Sequence, residues 1–350
     1  MMLRAMTVLA AFCVTAPAMA ADNCAPSGGL NFICDVLAAE DLVEVPKTNY
    51  LIASAMAAGG GINLVETRSK KVTNLYPGTG VIARHDKAKF GACPGAPDPK
   101  LVVLHGVALR PAPGGHYTLY GVNHGGRESI EVFDVAMDGG APKLTWTGCL
   151  VMPTGMAANS VSAWKDGTVI ATVPSMPGVT PEDRKAGKPT GAVVQWAPGA
   201  AGFTPIPGTE LKGNNGIDTS PTDDEFFVVS YAERKIVAFS RKDPSKPLRE
   251  TQVLSFSPDN VRWTPDGRVL SAGMAAPDPA CSSTPNTPEY MKCPRGYVAI
   301  SIDPKTMAVT AMASGPATPS FSGATMVVEM GNELWIGTYN NDKIAYRARK

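Results

Sequence analysis

The sequence predicts an all-β chain folded as a six-bladed β-propeller, and two observations support this fold class. A strand-turn-strand motif recurs along the chain, and a further apolar strand follows each copy. The 350 residues include 35 glycines and 31 prolines, a composition that favours many turns and disfavours long helices. Repeated strand units of this kind are typical of propeller blades.

The clearest copies of the motif begin with an asparagine and contain two alternating strands around a polar turn. They span residues 159–172, 215–230 and 260–273. Weaker copies span residues 41–54, 105–122 and 323–339. The apolar strands that follow the copies lie at 62–67, 129–135, 191–197, 235–241, 297–303 and 343–349. A large β-sandwich is the alternative all-β architecture, but it does not explain six matched copies.

The first twenty residues have the pattern of a secretory signal peptide. Arg4 precedes a short apolar stretch, which leads to the small residues Ala18-Met19-Ala20. The stretch is too short for a membrane anchor. We therefore expect residues 1–20 to be removed, no membrane span, and a periplasmic or secreted protein whose residues 21–350 form a single propeller domain.

Cysteine usage agrees with export. The cysteines beyond the expected signal peptide are even in number and lie at Cys24, Cys34, Cys93, Cys149, Cys281 and Cys293. None of their spacings is C-x-x-C, which argues against a zinc site or a redox motif. Six cysteines allow 15 pairings. Proximity favours Cys24 with Cys34 and Cys281 with Cys293, which would leave Cys93 with Cys149.

Charge and composition exclude two classes of protein. The chain has 32 Lys plus Arg against 31 Asp plus Glu, without a polybasic run, so nucleic acid is not an expected partner. A hydrophobic content of 44% excludes global disorder. No pattern in the sequence indicates an oligomeric state.

The longest insertions between strands are the segments where function is most expected. They lie at 84–100, 174–190 and 275–295 and are rich in Pro, Gly, Asp and Ser. In a propeller such loops can decorate one face, while the blades supply the scaffold. We expect function to depend on these insertions, and the 275–295 insertion to be a specificity element pinned by Cys281 and Cys293.

Polar residues recur where each repeat begins. The innermost strands of a propeller line its channel, so their first residues converge near the axis. A converging set of carboxylates and amide oxygens without thiolates is typical of a hard cation, Ca²⁺ above all, whereas Mg²⁺ tolerates an all-protein cage less well. The residues at these positions are Glu40 with Asp41, His105, Asn159 with Ser160, Asn215, and Asp259 with Asn260.

Several of these segments resemble the paraoxonase and arylesterase family. They are AEDLVEVP (39–46), LHGVAL (104–109), YGVNHGGRESIEVFDV (120–135), GNNGIDTSPTDDEFFVVSY (213–231) and SPDNVRWTPDGRVL (257–270). The segment GATMVVEMGNELWIGTYNNDKIAY (323–346) is also similar to the wider gluconolactonase and regucalcin superfamily. That superfamily is six-bladed, depends on calcium, and hydrolyses lactones and esters. The resemblance therefore implies an exported calcium-dependent lactonase or arylesterase acting on a small ester or lactone.

The resemblance also implies roles for individual residues. A pair of histidines, His105 and His124, would lie above a catalytic calcium. The ligands of that calcium would be Glu40, Asn159, Asn215, Asp259 and Asn260.

The sequence departs from the family pattern at three places. A second, structural calcium would need Asp41 and an acidic residue after Asn159, where Ser160 stands. The family also joins a cysteine near the N-terminus to one near the C-terminus, but the last residues here contain none, so we expect strand pairing alone to close the ring. Met274 stands where the family pattern tends to have another imidazole side chain, and a methionine there favours a less polar pocket.

Hydrolysis at such a site needs a base. His105 is the first candidate because neutral imidazole titrates near the working pH, with His124 placed to orient it or to relay its proton. Asp259 is the rival base, although metal ligation would keep its pKa low. A calcium-stabilised propeller that only binds a metabolite or a partner protein is the alternative function, and the two histidines argue against it. A strictosidine-synthase-like protein would use a catalytic Glu, and the cation ring argues against that class.

Overall fold

The alternating apolar residues of the repeated motif form antiparallel strands in six sheets, arranged as the blades of a propeller. The computed structural model describes residues 24–78, 82–138, 140–284 and 287–349. The expected signal peptide, residues 1–20, lies outside these described residues. The predicted fold class is confirmed.

Each blade is a sheet whose innermost strand lines the central channel. Strand β1 (Asn31–Cys34) comes first in the chain but belongs to blade six. Blade one contains β2 (Leu42–Glu44), β3 (Tyr50–Ala55), β4 (Gly61–Glu66) and β5 (Lys71–Tyr76). Blade two contains β6 (Ile82–Ala83), β7 (Leu104–Pro111), a 3-10 turn (Pro113–Gly115), β8 (Tyr117–Asn123), β9 (Ser129–Asp138) and β10 (Ala141–Val151).

The remaining blades follow the same order from the channel outward. Blade three contains β11 (Val161–Ala163), β12 (Val169–Val173), α1 (Pro181–Lys185), β13 (Ala192–Trp196) and β14 (Thr204–Pro205). Blade four contains β15 (Asn214–Thr219), β16 (Glu225–Ser230), β17 (Lys235–Ser240) and β18 (Pro247–Glu250). Blade five contains β19 (Ser257–Trp263), β20 (Val269–Met274), α2 (Pro288–Lys292), β21 (Tyr297–Ile302) and β22 (Val309–Gly315). Blade six contains β23 (Ala324–Met330), β24 (Glu333–Thr338) and β25 (Lys343–Ala348).

The second strand of each blade is buried on both faces. Residues Val169–Val173 of β12 and Val269–Met274 of β20 are all buried. This burial arises because neighbouring blades cover both faces of each sheet, so a strand becomes a continuous apolar run. The core therefore lies between the blades, and the channel at the centre is left to polar side chains.

Pairing between the first and the last strands closes the ring. Strand β1 pairs antiparallel with β25, with Phe32 opposite Ala345 and Ile33 opposite Ile344. Blade six is thereby completed by the first strand of the sequence together with its last three strands. Closure by strand pairing is the arrangement expected from the missing terminal cysteine.

Three disulfides form in the described residues. They join Cys24 to Cys34, Cys93 to Cys149 and Cys281 to Cys293. These are the pairings that proximity along the sequence favours.

One of the predicted functional insertions is placed differently from the expectation. Residues 84–100 lie along the outer edge of blade two, where the backbone N–H groups of Arg84 and Asp86 donate to the carbonyls of β10. Phe90 packs on Gly148 and on Trp196 of blade three. The insertion therefore covers the seam between two blades and lies away from the channel. This placement differs from the expectation that function depends on this insertion, because its apolar residues cover the seam instead.

The two α-helices in the described residues are single turns, one in each of the other long insertions. Each begins with a threonine cap, since Thr180 accepts from the N–H of Asp183 and Thr287 accepts from the N–H of Tyr290. In the described part of the chain, no helix is long and apolar enough to cross a membrane.

Candidate metal centre and active site

A β-bulge turns the first residues of several innermost strands toward the channel axis. The register of β7 shifts between Leu104 and Val107, so His105 lies in a bulge. Equivalent shifts place Asn215 and Asp259 in bulges of β15 and β19. A bulge re-aims a side chain out of the regular alternation of a strand. These side chains therefore meet at one end of the channel, which we call the mouth.

Glycines next to the bulged residues let the blades approach closely at the mouth. A Cβ atom on Gly106 would lie 2.8 Å from the carbonyl oxygen of Asn159, and a Cβ atom on Gly216 would lie 2.6 Å from that of Asp259. The N–H of Gly106 donates to the same Asn159 carbonyl at 3.2 Å. A side chain at either position would push apart the strands that carry the polar groups of the mouth.

Four side-chain oxygens at the mouth are buried without a hydrogen bond within the described residues. They are Oε2 of Glu40, and Oδ1 of Asn159, Asn215 and Asn260. A buried polar atom without a partner costs free energy, so several such atoms at one place indicate a site for a ligand. With the Asp259 carboxylate they form what we call the oxygen ring: Glu40, Asn159, Asn215, Asp259 and Asn260.

The chemistry of the oxygen ring fits a hard cation. It offers two carboxylates and three amides. In the described ranges no three or more His, Cys, Asp or Glu side chains are grouped as a metal site would need, so a cation here would depend on the amide oxygens as well. Burial, followed by the nearby Glu40 carboxylate, raises the pKa of Asp259 well above its ordinary value. Two carboxylates brought together out of water repel each other, and a divalent cation between them would remove that cost.

Hydrogen bonds hold the ring in this arrangement. The side-chain amide nitrogen of Asn260 donates to Oε1 of Glu40 at 2.7 Å, which leaves Oε2 of Glu40 for a ligand. The hydroxyl of Thr325 in blade six donates to the backbone carbonyl of Glu40. Side chains from blades five and six therefore fix the position of Glu40.

Beside the ring lies a chain of three hydrogen-bonded side chains. Nδ1 of His105 lies 3.1 Å from Nε2 of His124, and Nδ1 of His124 lies 2.8 Å from Oε2 of Glu128. Nε2 of His105 lies 3.4 Å from the amide nitrogen of Asn159 and 3.6 Å from Oε1 of Glu40. Burial lowers the pKa of His105, but the carboxylates of Glu40, Asp259 and Asp41 together raise it above its ordinary value.

The hydrogen bonds of this chain indicate the tautomers of the neutral histidines. A carboxylate only accepts, so His124 donates from Nδ1 to Glu128. Its Nε2 then accepts from Nδ1 of His105, which leaves the lone pair of His105 on Nε2. The amide nitrogen of Asn159 donates toward that lone pair. The basic nitrogen of His105 therefore faces the oxygen ring.

A second layer of charged side chains fills the channel below the ring. Nη2 of Arg262 donates to both carboxylate oxygens of Asp41 at 2.7 Å, and the N–H of Val107 donates to Asp41 at 2.8 Å. Arg110 pairs with Asp218 in the same layer. A guanidinium thus neutralises the carboxylate that the resemblance implies for a second, structural calcium. The positive charge in this layer is therefore supplied by the arginine side chains themselves.

A cavity of about 980 Å³ opens above the oxygen ring. Residues of the 174–190 insertion and Thr287 of the 275–295 insertion line it, as expected for two of the three long insertions. Other lining residues are Met56, Lys212, Tyr231, Met274 and Tyr339. Met274 is buried, and its sulfur lies 2.7 Å from Nη2 of Arg295.

The structure brings all the predicted site residues to one end of the channel. Glu40, His105, Asn159, Asn215 and Asp259 line the cavity. Asn260 contacts Glu40, and His124 contacts His105. Sequence reasoning missed Glu128 and Arg262, which contact predicted residues directly. The one signal for Glu128 in the sequence is its acidic side chain four positions after His124.

The fold and the oxygen-lined mouth define a six-bladed propeller whose candidate site lies on the channel axis. Among solved structures, the chain is similar to a luciferin-regenerating enzyme, with 12% identity, a TM-score of 0.53, and coverage of 91% of this chain and 93% of that one. It is also similar to a candidate gluconolactonase, with 13% identity, a TM-score of 0.50, and coverage of 92% and 93%. The calcium-binding protein regucalcin of Agrobacterium tumefaciens gives 10% identity, a TM-score of 0.50, and coverage of 91% and 92%. At these identities the similarity shows the fold. No family model matches the sequence, and no curated protein matches it significantly.

Proposed function

We propose that this protein is a calcium-dependent hydrolase of small esters or lactones. The observation that carries the proposal is the placement of the unpartnered oxygens of the ring beside the chain His105–His124–Glu128. An oxygen ring alone could bind a cation that is only structural. A pair of histidines alone could have many roles besides catalysis. Together they supply what the hydrolysis of an activated carbonyl needs.

The residues of the oxygen ring would hold the calcium ion. Glu40, Asn159, Asn215, Asp259 and Asn260 offer oxygen ligands of both kinds that calcium prefers. A bound calcium ion would polarise the substrate carbonyl and stabilise the charge that develops on its oxygen. The Arg262 guanidinium already neutralises Asp41, so we propose one calcium site per chain.

His105 would act as the general base. Its Nε2 takes a proton from the attacking water as the water oxygen bonds to the carbonyl carbon. The carbonyl carbon then loses its bond to the ester oxygen, and His105 returns the proton to that oxygen. His124 and Glu128 keep Nδ1 of His105 hydrogen-bonded and stabilise the imidazolium that forms between these steps.

Asp259 is less suited to be the base. As a ligand in the oxygen ring it would be held ionised by the cation, and a strongly stabilised carboxylate is a weak proton acceptor. Nε2 of His105 is not one of the proposed metal ligands, so it can accept a proton.

The comparisons support the proposal at the level of fold. Proteins named as a luciferin-regenerating enzyme, a candidate gluconolactonase and a calcium-binding regucalcin are built on the same propeller. The three disulfides support the further proposal of an exported protein, periplasmic or secreted, that loses residues 1–20 as a signal peptide.

The test is hydrolysis of phenyl acetate and of γ- and δ-lactones by the purified protein, with added calcium and then with excess chelator. Turnover that needs calcium and falls in His105→Gln supports the hydrolase. If none of these substrates turns over while calcium still raises the melting temperature, the hydrolase is wrong. The alternative, a calcium-stabilised propeller that only binds its ligand, would then be the better proposal.

A further inference from the structure

The cavity above the oxygen ring carries an excess of positive charge on its wall. Its lining includes four cationic side chains, Arg184, Lys185, Lys188 and Lys212, against the two carboxylates of the ring. A cation bound in the ring would neutralise those carboxylates and leave the wall strongly positive. Two wall cations are themselves paired, since Lys188 lies 2.7 Å from Asp183 and Lys212 lies 3.7 Å from Glu233. Arg184 donates to the neutral hydroxyl of Ser175.

A further cation, Arg295, lies just behind the cavity wall. Arg295 is 1% exposed, and its Nη2 lies 2.7 Å from the sulfur of Met274 and 3.3 Å from the hydroxyl of Tyr231. Met274 and Tyr231 both line the cavity. One layer of side chains therefore separates this guanidinium from the cavity.

Arg295 lacks the partner that a buried guanidinium normally has. Its Nε and Nη1 make no hydrogen bond, and no carboxylate among the described residues forms an ion pair with it. The ring of Tyr290, 5.1 Å from the guanidinium carbon, contributes only a cation–π contact. A thioether sulfur is a weak acceptor, and Tyr231 and Tyr339 offer only neutral hydroxyls. The charge of Arg295 is therefore compensated only at a distance, through its attraction to the Asp259 carboxylate.

The wall is continuous from Lys212 to Arg295. The backbone of Lys212 and Gly213 accepts hydrogen bonds from the N–H groups of Ala232 and Tyr231, and the hydroxyl of Tyr231 contacts Arg295. We call Lys212, Tyr231 and Arg295 the anion subsite. Met274 covers it on the cavity side, and a methionine side chain is flexible enough to move aside.

We infer that the substrate is a lactone or ester that carries a carboxylate, and that Lys212 and Arg295 bind that carboxylate. This inference rests on the proposed function, because it names the substrate class of the same site. A carboxylate on Arg295 would complete its hydrogen bonds in a bidentate pair. The competing explanation is that Arg295 only packs between tyrosines and that the lysines of the wall are only solvated.

Binding of a matched pair of non-hydrolysable probes tests the inference. Cyclopentanone-3-carboxylate and cyclopentanone-3-carboxamide have the shape of a γ-lactone and differ in charge. We expect the calcium-loaded protein to bind the carboxylate about tenfold more tightly in calorimetric titration, as one charged hydrogen bond provides. The preference should fall as ionic strength rises.

Variants assign the preference to the subsite. Arg295→Met should abolish the preference and Arg295→Lys should retain part of it. Lys212→Ala changes a partly exposed residue, so it tests the subsite with little risk to folding. The control is Lys242→Ala, which removes an exposed lysine beyond the end of β17, on the face opposite the mouth. Equal affinities in the unaltered protein, or a preference that survives both Arg295→Met and Lys212→Ala, would overturn the inference.

Hydrolysis by the same samples separates this inference from the proposed function. Turnover of neutral lactones without any preference for the carboxylate probe overturns the anion subsite and leaves the hydrolase standing. A preference that depends on Arg295, with no turnover of any lactone, supports the anion subsite and removes the hydrolase.

Discussion

The buried oxygens without hydrogen bonds at the mouth determine how removal of the metal should affect the stability of the fold. Glu40 and Asn260 are almost fully buried, and each keeps one oxygen without a hydrogen bond. A protein keeps such atoms when a ligand completes them. Calcium should therefore stabilise the folded state, and the effect should depend on the oxygen ring.

The first prediction concerns Asp259. In the unaltered protein, calcium at a hundredfold excess over its Kd should raise the free energy of unfolding by about 2.7 kcal/mol. Asp259→Ala should remove most of this calcium-dependent gain, because it takes a charged ligand from the ring. Thermal unfolding with calcium and with chelator measures the difference. Asp243→Ala, a change in an exposed turn far from the mouth, should keep the full gain; equal losses in both variants would contradict the ring.

The second prediction concerns the hydrogen-bonded chain. His105→Gln should lower kcat by about 10²- to 10⁴-fold, the usual effect of losing a general base. His124→Gln and Glu128→Ala should lower it less, since they act through His105. Steady-state kinetics on a lactone in saturating calcium provides the measurement. The matched control is His116→Gln, which breaks another His–carboxylate pair, with Asp134, away from the mouth; a similar loss of kcat there would show that the effect is general.

Residues that begin a repeat could be predicted from the sequence, because equivalent positions of a propeller converge. Asn159, Asn215 and Asp259 are found in this way without any structural information. Arg262 and Arg295 could not be found, because their importance lies in contacts with residues distant in the chain. An arginine within a strand or a loop gives no signal of the carboxylate or sulfur beside it.

At the scale of elements, the insertions differ in what they cover. The 275–295 insertion supplies Thr287 to the cavity and is crossed by Cys281–Cys293. The 84–100 insertion is tied by Cys93–Cys149 to the outer edge of blade two. We therefore expect the Cys281–Cys293 disulfide to affect specificity and the Cys93–Cys149 disulfide to affect stability.

The third prediction compares these two disulfides. Replacing Cys281 and Cys293 by serine should change the ratio of kcat/KM between two lactones while calcium affinity stays the same. Replacing Cys93 and Cys149 should leave that ratio unchanged and cost about 4 kcal/mol, since this disulfide closes a much longer segment. Kinetics on the substrate pair and denaturant unfolding separate the effects. A change in calcium affinity in the first variant would contradict the assignment of this insertion.

The inner three strands of each blade could be predicted from alternating apolar residues, but the outermost strands could not. Strand β14 has two residues, and β18 has four, mostly exposed. An edge strand packs on one neighbour only, so its sequence carries little hydrophobic pattern. The same reasoning explains the placement of 84–100, since no local pattern distinguishes a loop at the edge of a blade from one at the mouth.

At the scale of the whole molecule, stability depends on the seam where the ring closes. Strand β1 supplies the buried residues Phe32 and Ile33 to blade six and covers the edge of β25. Without β1, blade six would lose its outer strand and expose a row of backbone donors and acceptors.

The fourth prediction tests this seam. Ile33→Ala should lower the free energy of unfolding by about 2–5 kcal/mol, the range for deleting a large buried side chain. Asn31→Ala, at an exposed position of the same strand, should change it by less than about 0.5 kcal/mol. Urea unfolding monitored by fluorescence measures both. Equal small effects would mean that the seam contributes little and that the blades hold together without it.

The closing strand pair also sets a lower limit on how soon the native state can form. Residues 31–34 must wait for their partners at 343–346, and at typical synthesis rates of about 5–20 residues per second the interval is roughly 15 to 60 s. During that time five blades can form while the edge of the sixth is missing. A chain exported before folding would complete this last pairing only after translocation, so the moment of ring closure would fall in the compartment where the disulfides form.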